Sequence, residues 1–293
     1  MYNIIGYYEA ETVSEATALL AENPNLRLIA GGTDVLIKIH AGQIEEVELL
    51  SLRKLKALER IRKAEDGTIV IGAMATFTQV FKDPILREMI PILTEAAISM
   101  GGPQIRNIAT IGGNVCNGVT SADSASSLFA LNAQLKLEDM NGERLVPIRE
   151  FYLGPGKVAL KPGEILTEIL ISLDNYQGFG GQYIKFAMRE AMDIATLAVS
   201  VVCKLQGKTF DEVRIGLGVA GPTPLRCREA EAYAQGKDVT TETVAEIGKL
   251  AVKSAKARTS WRASKEYREH LVEELVQRAL KIAIVNAGGV ELV

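Results

Sequence analysis

Twice in this chain a short apolar stretch is interrupted by two consecutive glycines: "LIAGGTDVLIKI" at residues 28–39 and "IATIGGNVCNGVTSADSA" at residues 108–125. A glycine inside a regular element costs about 0.5–1 kcal/mol relative to alanine. A pair of them in a core-forming stretch therefore points to geometry that only glycine permits, a positive φ or a close backbone approach. Each pair alone also reads as an ordinary tight turn. Bare amides in such a turn can form a nest for an anion, and a helix that starts directly afterwards adds its own amides. Both pairs are flanked by small hydroxyl or amide side chains, Thr33 in one case and Thr110 and Asn114 in the other. Two walls of one site for a phosphate-rich ligand would explain both, and a diphosphate fits them without any lysine. Asp34 and Asp123 would then meet hydroxyls or ring N–H groups of that ligand, because like charges repel. Each of the two also reads as a helix N-cap.

The rest of the chain limits what can surround these walls. Its 293 residues are enough for one large domain or two ordinary ones. With 47% hydrophobic and 24% charged residues the composition is globular rather than disordered. A net charge of −3 argues against a nucleic-acid groove or a strongly basic membrane surface, without excluding a local patch. Cys116, Cys203 and Cys227 are too widely spaced for a zinc or iron–sulfur site, so no metal ligands are expected in this chain. So sparse and odd a count fits a reducing cytoplasm. The start, "MYNIIGYYEAETVSEA", lacks the pattern of a signal peptide, and no run approaches the length of a membrane span.

Thr12 with Glu15 three residues on has capping-box spacing ahead of an apolar-periodic helix. "LRLIA" and "VELLSL" read as strands. "LERIRKAEDGTIVIGAM" and "QLKLEDMNGERLVPI" read as hairpins around Asp66-Gly67 and Asn141-Gly142. Helices are expected over "TFTQVFKD", "PILTEAAISM" and "SADSASSLFALNA". The glycine-rich "DNYQGFGGQ" at 174–182 reads as a subdomain junction. Beyond it "YIKFAMR", "TLAVSVVCKL" and "VRIGLGVA" read as three strands of one antiparallel sheet. Helices around 224–235, 241–256 and 264–286 follow, the last ending at Gly288-Gly289. The order of elements gives an α+β fold. "GLGVAG" (216–221) matches a G-x-G-x-x-G pattern, but its glycines sit in an alternating strand pattern with Pro222 and Pro224 directly after. A dinucleotide fingerprint needs a helix opening inside it, so a glycine-bearing strand is the reading taken.

The segments "AGGTDVLI", "GGPQIRNIATIGGNVCNGVTSADSA", "FYLGPGKV", "YIKFAMREAMDIATL", "GVAGPTPLRC" and "SWRASKEYR" together resemble the FAD-binding medium subunits of molybdenum hydroxylases, and within them the separate flavin subunits of bacterial xanthine dehydrogenases. The resemblance runs from the first residues to the last helix. It implies a vanillyl-alcohol-oxidase-like (PCMH-type) FAD-binding region of two subdomains over 1–175. A C-terminal domain over 180–290 follows, with a three-stranded antiparallel sheet and helices. Leu28, Ile29, Ala30, Gly31, Gly32, Thr33, Asp34 and Val35 would wrap the FAD diphosphate, and Thr110, Ile111, Gly112, Gly113 and Asn114 would close on it. Asp123 would contact the cofactor, Leu166 would line the flavin, and Met100 and Gly102 would lie beside it. Lys185 would stand near the isoalloxazine, where a cation stabilises negative charge on reduced flavin. From residues alone Lys185 reads as a surface strand lysine. Met100 replaces an aromatic of several relatives, and Pro155 a tyrosine of animal relatives; both bear on the tuning of the potential rather than on binding.

The same resemblance implies an electron-transfer subunit of a cytoplasmic multi-subunit oxidoreductase, one that does not act alone on the organic substrate. A large partner subunit would carry molybdopterin and a small one [2Fe-2S] clusters, with NAD as acceptor and xanthine or another purine as substrate. A sibling substrate (another N-heterocycle, an aromatic thioester or carbon monoxide) stays open, because substrate contacts would lie on the partner. A non-catalytic FAD- or nucleotide-binding module and a self-sufficient flavin reductase of the cell-wall type are the rival readings. Arg189 and Asp193 in "REAMDIA" read either as influencing NAD access or as a loop salt bridge. His40 and His270 read as surface or cap residues, Trp261 as packing in a seam between domains or subunits, and Cys116 as unreactive.

Overall fold

The computed structural model describes residues 3–292. The first unit is a three-stranded parallel sheet with two helices: β1 (Ile4–Glu9), α1 (Val13–Glu22), β2 (Arg27–Ile29), α2 (Val35–His40) and β3 (Val47–Ser51), strand order β1-β3-β2. Thr12 starts α1 as its spacing predicts, its hydroxyl accepting from the Glu15 amide at 3.1 Å. The "VLIKI" segment after the first glycine pair is helix α2.

The second unit is an antiparallel sheet carrying a helical insertion. Strands β4 (Ile61–Lys63) and β5 (Ile69–Gly72) form the first expected hairpin. Short helices follow: α3 (Phe77–Lys82), α4 (Pro84–Met89), α5 (Pro91–Ser99), α6 (Pro103–Arg106), α7 (Ile111–Cys116) and α8 (Ala125–Ala130). The second expected hairpin is β6 (Gln134–Asp139) with β7 (Gly142–Pro147). After α9 (Ile148–Phe151) and the small pair β8 (Tyr152–Gly154) and β9 (Lys157–Val158), β10 (Ile165–Ile171) returns to the middle of the sheet, order β4-β5-β10-β6-β7. Met74 and Ile165 of this unit join Leu20, Leu26 and Leu50 of the first in one buried cluster, which fixes the two units against each other.

The third unit is the antiparallel sheet β11 (Gly180–Phe186), β12 (Leu197–Gln206), β13 (Thr209–Gly218) and β14 (Leu225–Arg226), with α10 (Arg228–Ala234), α11 (Thr241–Val252) and α12 (Lys265–Asn286). Three long strands are present as expected, joined by a two-residue fourth too short to leave a periodic signal. Residues of α10, α11 and α12 cover one face of this sheet, Ala230, Ile247 and Leu280 among them. Helices α5 and α8 cover the other. Consecutive glycines in β11 serve both contacts. A methyl on Gly180 would lie 2.1 Å from the Ala287 nitrogen after α12, and one on Gly181 would lie 2.4 Å from Ile92 Cγ2 of α5. The 174–182 stretch, read from the sequence as a subdomain junction, runs from β10 of the second unit into β11 of the third and is packed there. Tyr176 within it is buried, its hydroxyl donating to the Gly67 carbonyl at 2.5 Å. Gly216 and Gly218 of the G-x-G-x-x-G pattern lie in strand β13. A methyl on Gly216 would meet the Ser126 carbonyl of α8 at 2.1 Å, so this glycine serves packing. Among the described residues no helix is long and apolar enough to cross a membrane.

Candidate functional site

Between the first and second units runs a cleft of about 630 Å³, within the range of small-molecule and cofactor pockets. Both glycine pairs line it. From the first segment Leu28 and every residue from Ala30 to Val35 reach the cleft, while Ile29 packs toward Ile39 and Leu49 beneath. From the second, Thr110, Gly112, Gly113 and Asn114 reach it, whereas Ile111 is fully buried in the core. Met100 and Leu166 complete the predicted lining. The two segments touch: a methyl on Gly31 would lie 2.1 Å from the Ile108 carbonyl oxygen, and one on Gly113 would lie 3.8 Å from the Ala30 methyl.

Their backbones differ. Gly32 has φ +77°, a left-handed turn residue. The amides of Gly31, Gly32, Thr33 and Asp34 donate to no described protein group, nor does the Thr33 side chain bond to one. Asp34 occupies the N-cap position of α2 without making a side-chain cap bond. The second pair is not a turn, which corrects the expectation. Gly112 and Gly113 lie inside α7, begun by Thr110, whose hydroxyl accepts from the Gly113 amide at 3.1 Å. The Ile111 and Gly112 amides donate to the Ala75 and Ala73 carbonyls, and Asn114 donates to Thr110. This segment has no amide nest. It offers closeness instead, since a methyl on Gly112 would lie 2.6 Å from both the Ala73 methyl and its carbonyl oxygen. Available donors remain on its side chains. The Thr110 hydroxyl keeps its own proton, and Asn114 uses Oδ1 to accept from Ser124 at 2.7 Å, leaving its Nδ2.

Polar residues without a local sequence signal complete the cleft. Lys38 of α2 donates to Asn117 Oδ1 just past α7 at 2.8 Å, tying the two glycine segments together. Lys161 and Glu164 also line it. Glu164 accepts from Arg144 Nε and Nη2 at 2.6 and 2.8 Å and from the Lys161 amide at 2.7 Å. These bonds, the Arg144 pair first, hold its carboxyl below the usual range. Cys116 also lines the cleft, and burial pushes its thiol up to about 12, so it stays protonated.

Lys185 and Asp123 lie outside the cleft lining but together. The β11 pairing places Lys185 so that its Nζ donates to the Ser99 carbonyl at 3.1 Å and stands 2.8 Å from the Asp123 carboxylate. Both side chains are about nine-tenths buried, so Lys185 is not a surface strand lysine and Asp123 is not a cap. Burial raises the Asp123 carboxyl above its ordinary value, and Lys185 opposes that rise. Tyr183 is held protonated by burial and by Asp123. Ser99 and Lys185 open on a second cavity of about 300 Å³ against the 186–193 loop. In that loop Arg189 pairs with Asp193 at 3.5 Å, the salt-bridge alternative of the sequence. Met100 lines the main cleft and Ser99 the second cavity, so the end of α5 separates the two spaces. Gly102 follows them, with Met192 close enough that a methyl would lie 2.5 Å from its sulfur.

Residues 3–172 match the FAD-binding domain in molybdopterin dehydrogenase, and 182–283 match the CO dehydrogenase flavoprotein C-terminal domain. The chain is 42% identical to the xanthine dehydrogenase FAD-binding subunit of Escherichia coli O157:H7 over 99% of both chains. It is 32% identical to the carbon monoxide dehydrogenase medium chain of Hydrogenophaga pseudoflava, over 94% of this chain and 96% of that one. A solved carbon monoxide dehydrogenase from Hydrogenophaga pseudoflava superimposes with a TM-score of 0.92 at 31% identity, covering 98% of this chain and 99% of that chain.

Proposed function

We propose, from the premise that this chain belongs to the FAD-binding domains of molybdopterin dehydrogenases, that FAD lies in the cleft with its diphosphate on the first glycine segment. The observation that carries this reading is the run of unengaged amides from Gly31 to Asp34 opening into a 630 Å³ cleft. Four amide donors and the Thr33 hydroxyl suit a diphosphate, and Lys38 brings a positive charge to the same wall. Opposite, Gly113 keeps a side chain from between the walls and Gly112 lets α7 close on Ala73, while the Thr110 hydroxyl and Asn114 Nδ2 donate. Asp34 takes a hydroxyl or ring N–H. Leu166 and Met100 give apolar contact, Met100 without ring stacking.

Bound there, FAD supplies the two-electron carrier between iron–sulfur clusters of a partner subunit and NAD. Lys185 is the cation assigned to the flavin end. Its ammonium is held by the Ser99 carbonyl and Asp123 just beyond the end of α5 that bounds the cleft; a reduced ring reaching that end would meet its positive charge. Arg189 and Asp193 shape the approach for NAD through the second cavity. Molybdopterin belongs to a large partner subunit and the clusters to a small one, so this chain positions, shields and tunes. The 42% identity to a xanthine dehydrogenase subunit favours xanthine over carbon monoxide as substrate of the assembled enzyme. The division into 1–175 and 180–290 follows the same reading.

The test is the visible spectrum of the purified chain, alone, with added FAD and then with NADH. A bound-flavin spectrum that NADH bleaches is expected. A chain that takes up no FAD, alone or co-expressed with partner subunits, removes the cleft assignment. Xanthine:NAD turnover by the co-purified complex, set against carbon monoxide oxidation, tests the substrate.

A further inference from the structure

Between Lys253 and Arg268 the chain carries six Lys or Arg and a single acid, Glu266, although its net charge is −3. Lys253 and Lys265 are paired with Glu229 and Glu269. Arg258, Arg262 and Arg268 make no ion pair among the described residues; burial first, and then the nearness of Arg258 and Arg262, disfavours the charge on Arg268. Arg268 is 3% exposed, and its guanidinium donates to the Thr196 carbonyl and, at 2.9 Å, to Ser260 Oγ. The Nε atoms of Arg262 and Arg268 are buried and have no hydrogen-bond partner among the described residues. Buried donors are normally satisfied, and buried guanidinium groups normally meet a carboxylate.

At the tip of the same turn stands Trp261, 75% exposed, with the Arg262 guanidinium stacked 4.2 Å from its ring. It is the only tryptophan of the chain. The turn is rigid. Ser260 and Ala263 bridge it at 3.0 Å, Ser260 Oγ accepts from Arg262 and Arg268, and Thr259 accepts from the Lys265 amide. A large exposed aromatic on a pre-ordered turn, ringed by unneutralised arginine, has the composition of an interface hot spot, and little entropy is lost on docking. Neither cavity described above includes these residues. Trp261 projects from the surface rather than flooring a pocket, which suits a macromolecular surface better than an enclosed small anion.

We propose that the Ser260–Ala263 turn is a docking surface for an acidic segment of another subunit of the assembled enzyme. Trp261 inserts into an apolar recess of that subunit, and its carboxylates accept from Arg258 and Arg262. The proposal rests on the multi-subunit reading above. The test uses the full chain, tagged and co-expressed with its partner subunits, with the recovered complex quantified by native mass spectrometry. Trp261→Ala and Arg258→Glu, both at exposed positions, are each expected to lower recovery of the complex about tenfold or more. Arg258→Lys is expected to retain most of it. All three variants should melt like the parent and keep its FAD absorbance. Full recovery with Trp261→Ala and Arg258→Glu overturns the proposal and leaves the multi-subunit reading standing. If the parent chain itself brings down no subunit, both fall. Intact assembly, combined with diphosphate or anionic-vesicle binding that these variants lose, assigns the surface to a free anion or a lipid and also overturns it.

Discussion

At the first glycine pair the backbone turns through Gly32 at φ +77° and leaves its amides unengaged; at the second it runs on as helix α7 with its amides already taken. The backbone of the first wall supplies free donors as well as the close approach of Gly31 to Ile108; that of the second supplies only closeness, of Gly112 to Ala73. A glycine pair can thus be required for what its backbone offers, for what its missing side chains leave room for, or for both. The mutational consequences separate accordingly.

The largest effects are expected where the wall opposite is backbone. Gly31→Val and Gly112→Val press side chains into the Ile108 and Ala73 carbonyls. Each should cost more than about 4 kcal/mol and give little soluble chain, read by denaturant unfolding. If either folds like the parent, the close approach described here is wrong. Next comes Arg144→Ala, behind a stretch of the cleft lining built with charge instead of glycine. It strands a Glu164 carboxylate that is 4% exposed and should cost about 3 kcal/mol. Because Glu164 titrates below the ordinary glutamate value of 4.5 when folded, its contribution is complete above that value and is lost as pH falls through the lowered one. Stability measured from pH 7 to 3 should therefore drop in the acid limb for the parent, and less so for Glu164→Gln.

Gly32→Ala should cost about 1–2 kcal/mol for left-handed strain, with FAD affinity falling about tenfold as the amides shift. Thr110→Ala removes the cap of α7 and should cost about 1 kcal/mol in thermal or denaturant melts. The smallest stability change belongs to Gly113→Ala. Helix propensity gained there offsets displacement of Thr110 Oγ1, which a methyl would meet at 2.9 Å, for a net within about 0.5 kcal/mol. Flavin content should nonetheless fall, since the methyl stands between the walls. A Gly113→Ala variant as destabilised as Gly32→Ala would erase the distinction between the two pairs.

Both hairpins, the Thr12 cap and the long last helix were legible because each is written in neighbouring residues, such as Asn141-Gly142 or Thr12 with Glu15. The glycine-bearing strand at 216–218 could be told from a nucleotide fingerprint because proline follows it. Helix α7 was not legible, since Gly-Gly is a poor helix former and the carbonyls of Ala73 and Ala75 that engage its amides come from a distant strand end. The same holds for Lys185. Strand alternation says nothing of the Ser99 carbonyl or the Asp123 carboxylate that tertiary folding brings to it. Lys38 was hidden in an apolar run, and Glu164 finds Arg144 across twenty residues.

The paired glycines of β11 have a consequence for inheritance. Gly180 and Gly181 pin the strand between α12 and α5, and Lys185 lies four residues further along, roughly 13 Å at about 3.3 Å per residue. The strand has no slack between pin and charge, so a substitution at the pin is transmitted along it like play taken up in a rod. Lineages of this protein can thus shift the Lys185–Asp123 ion pair from a position four residues away.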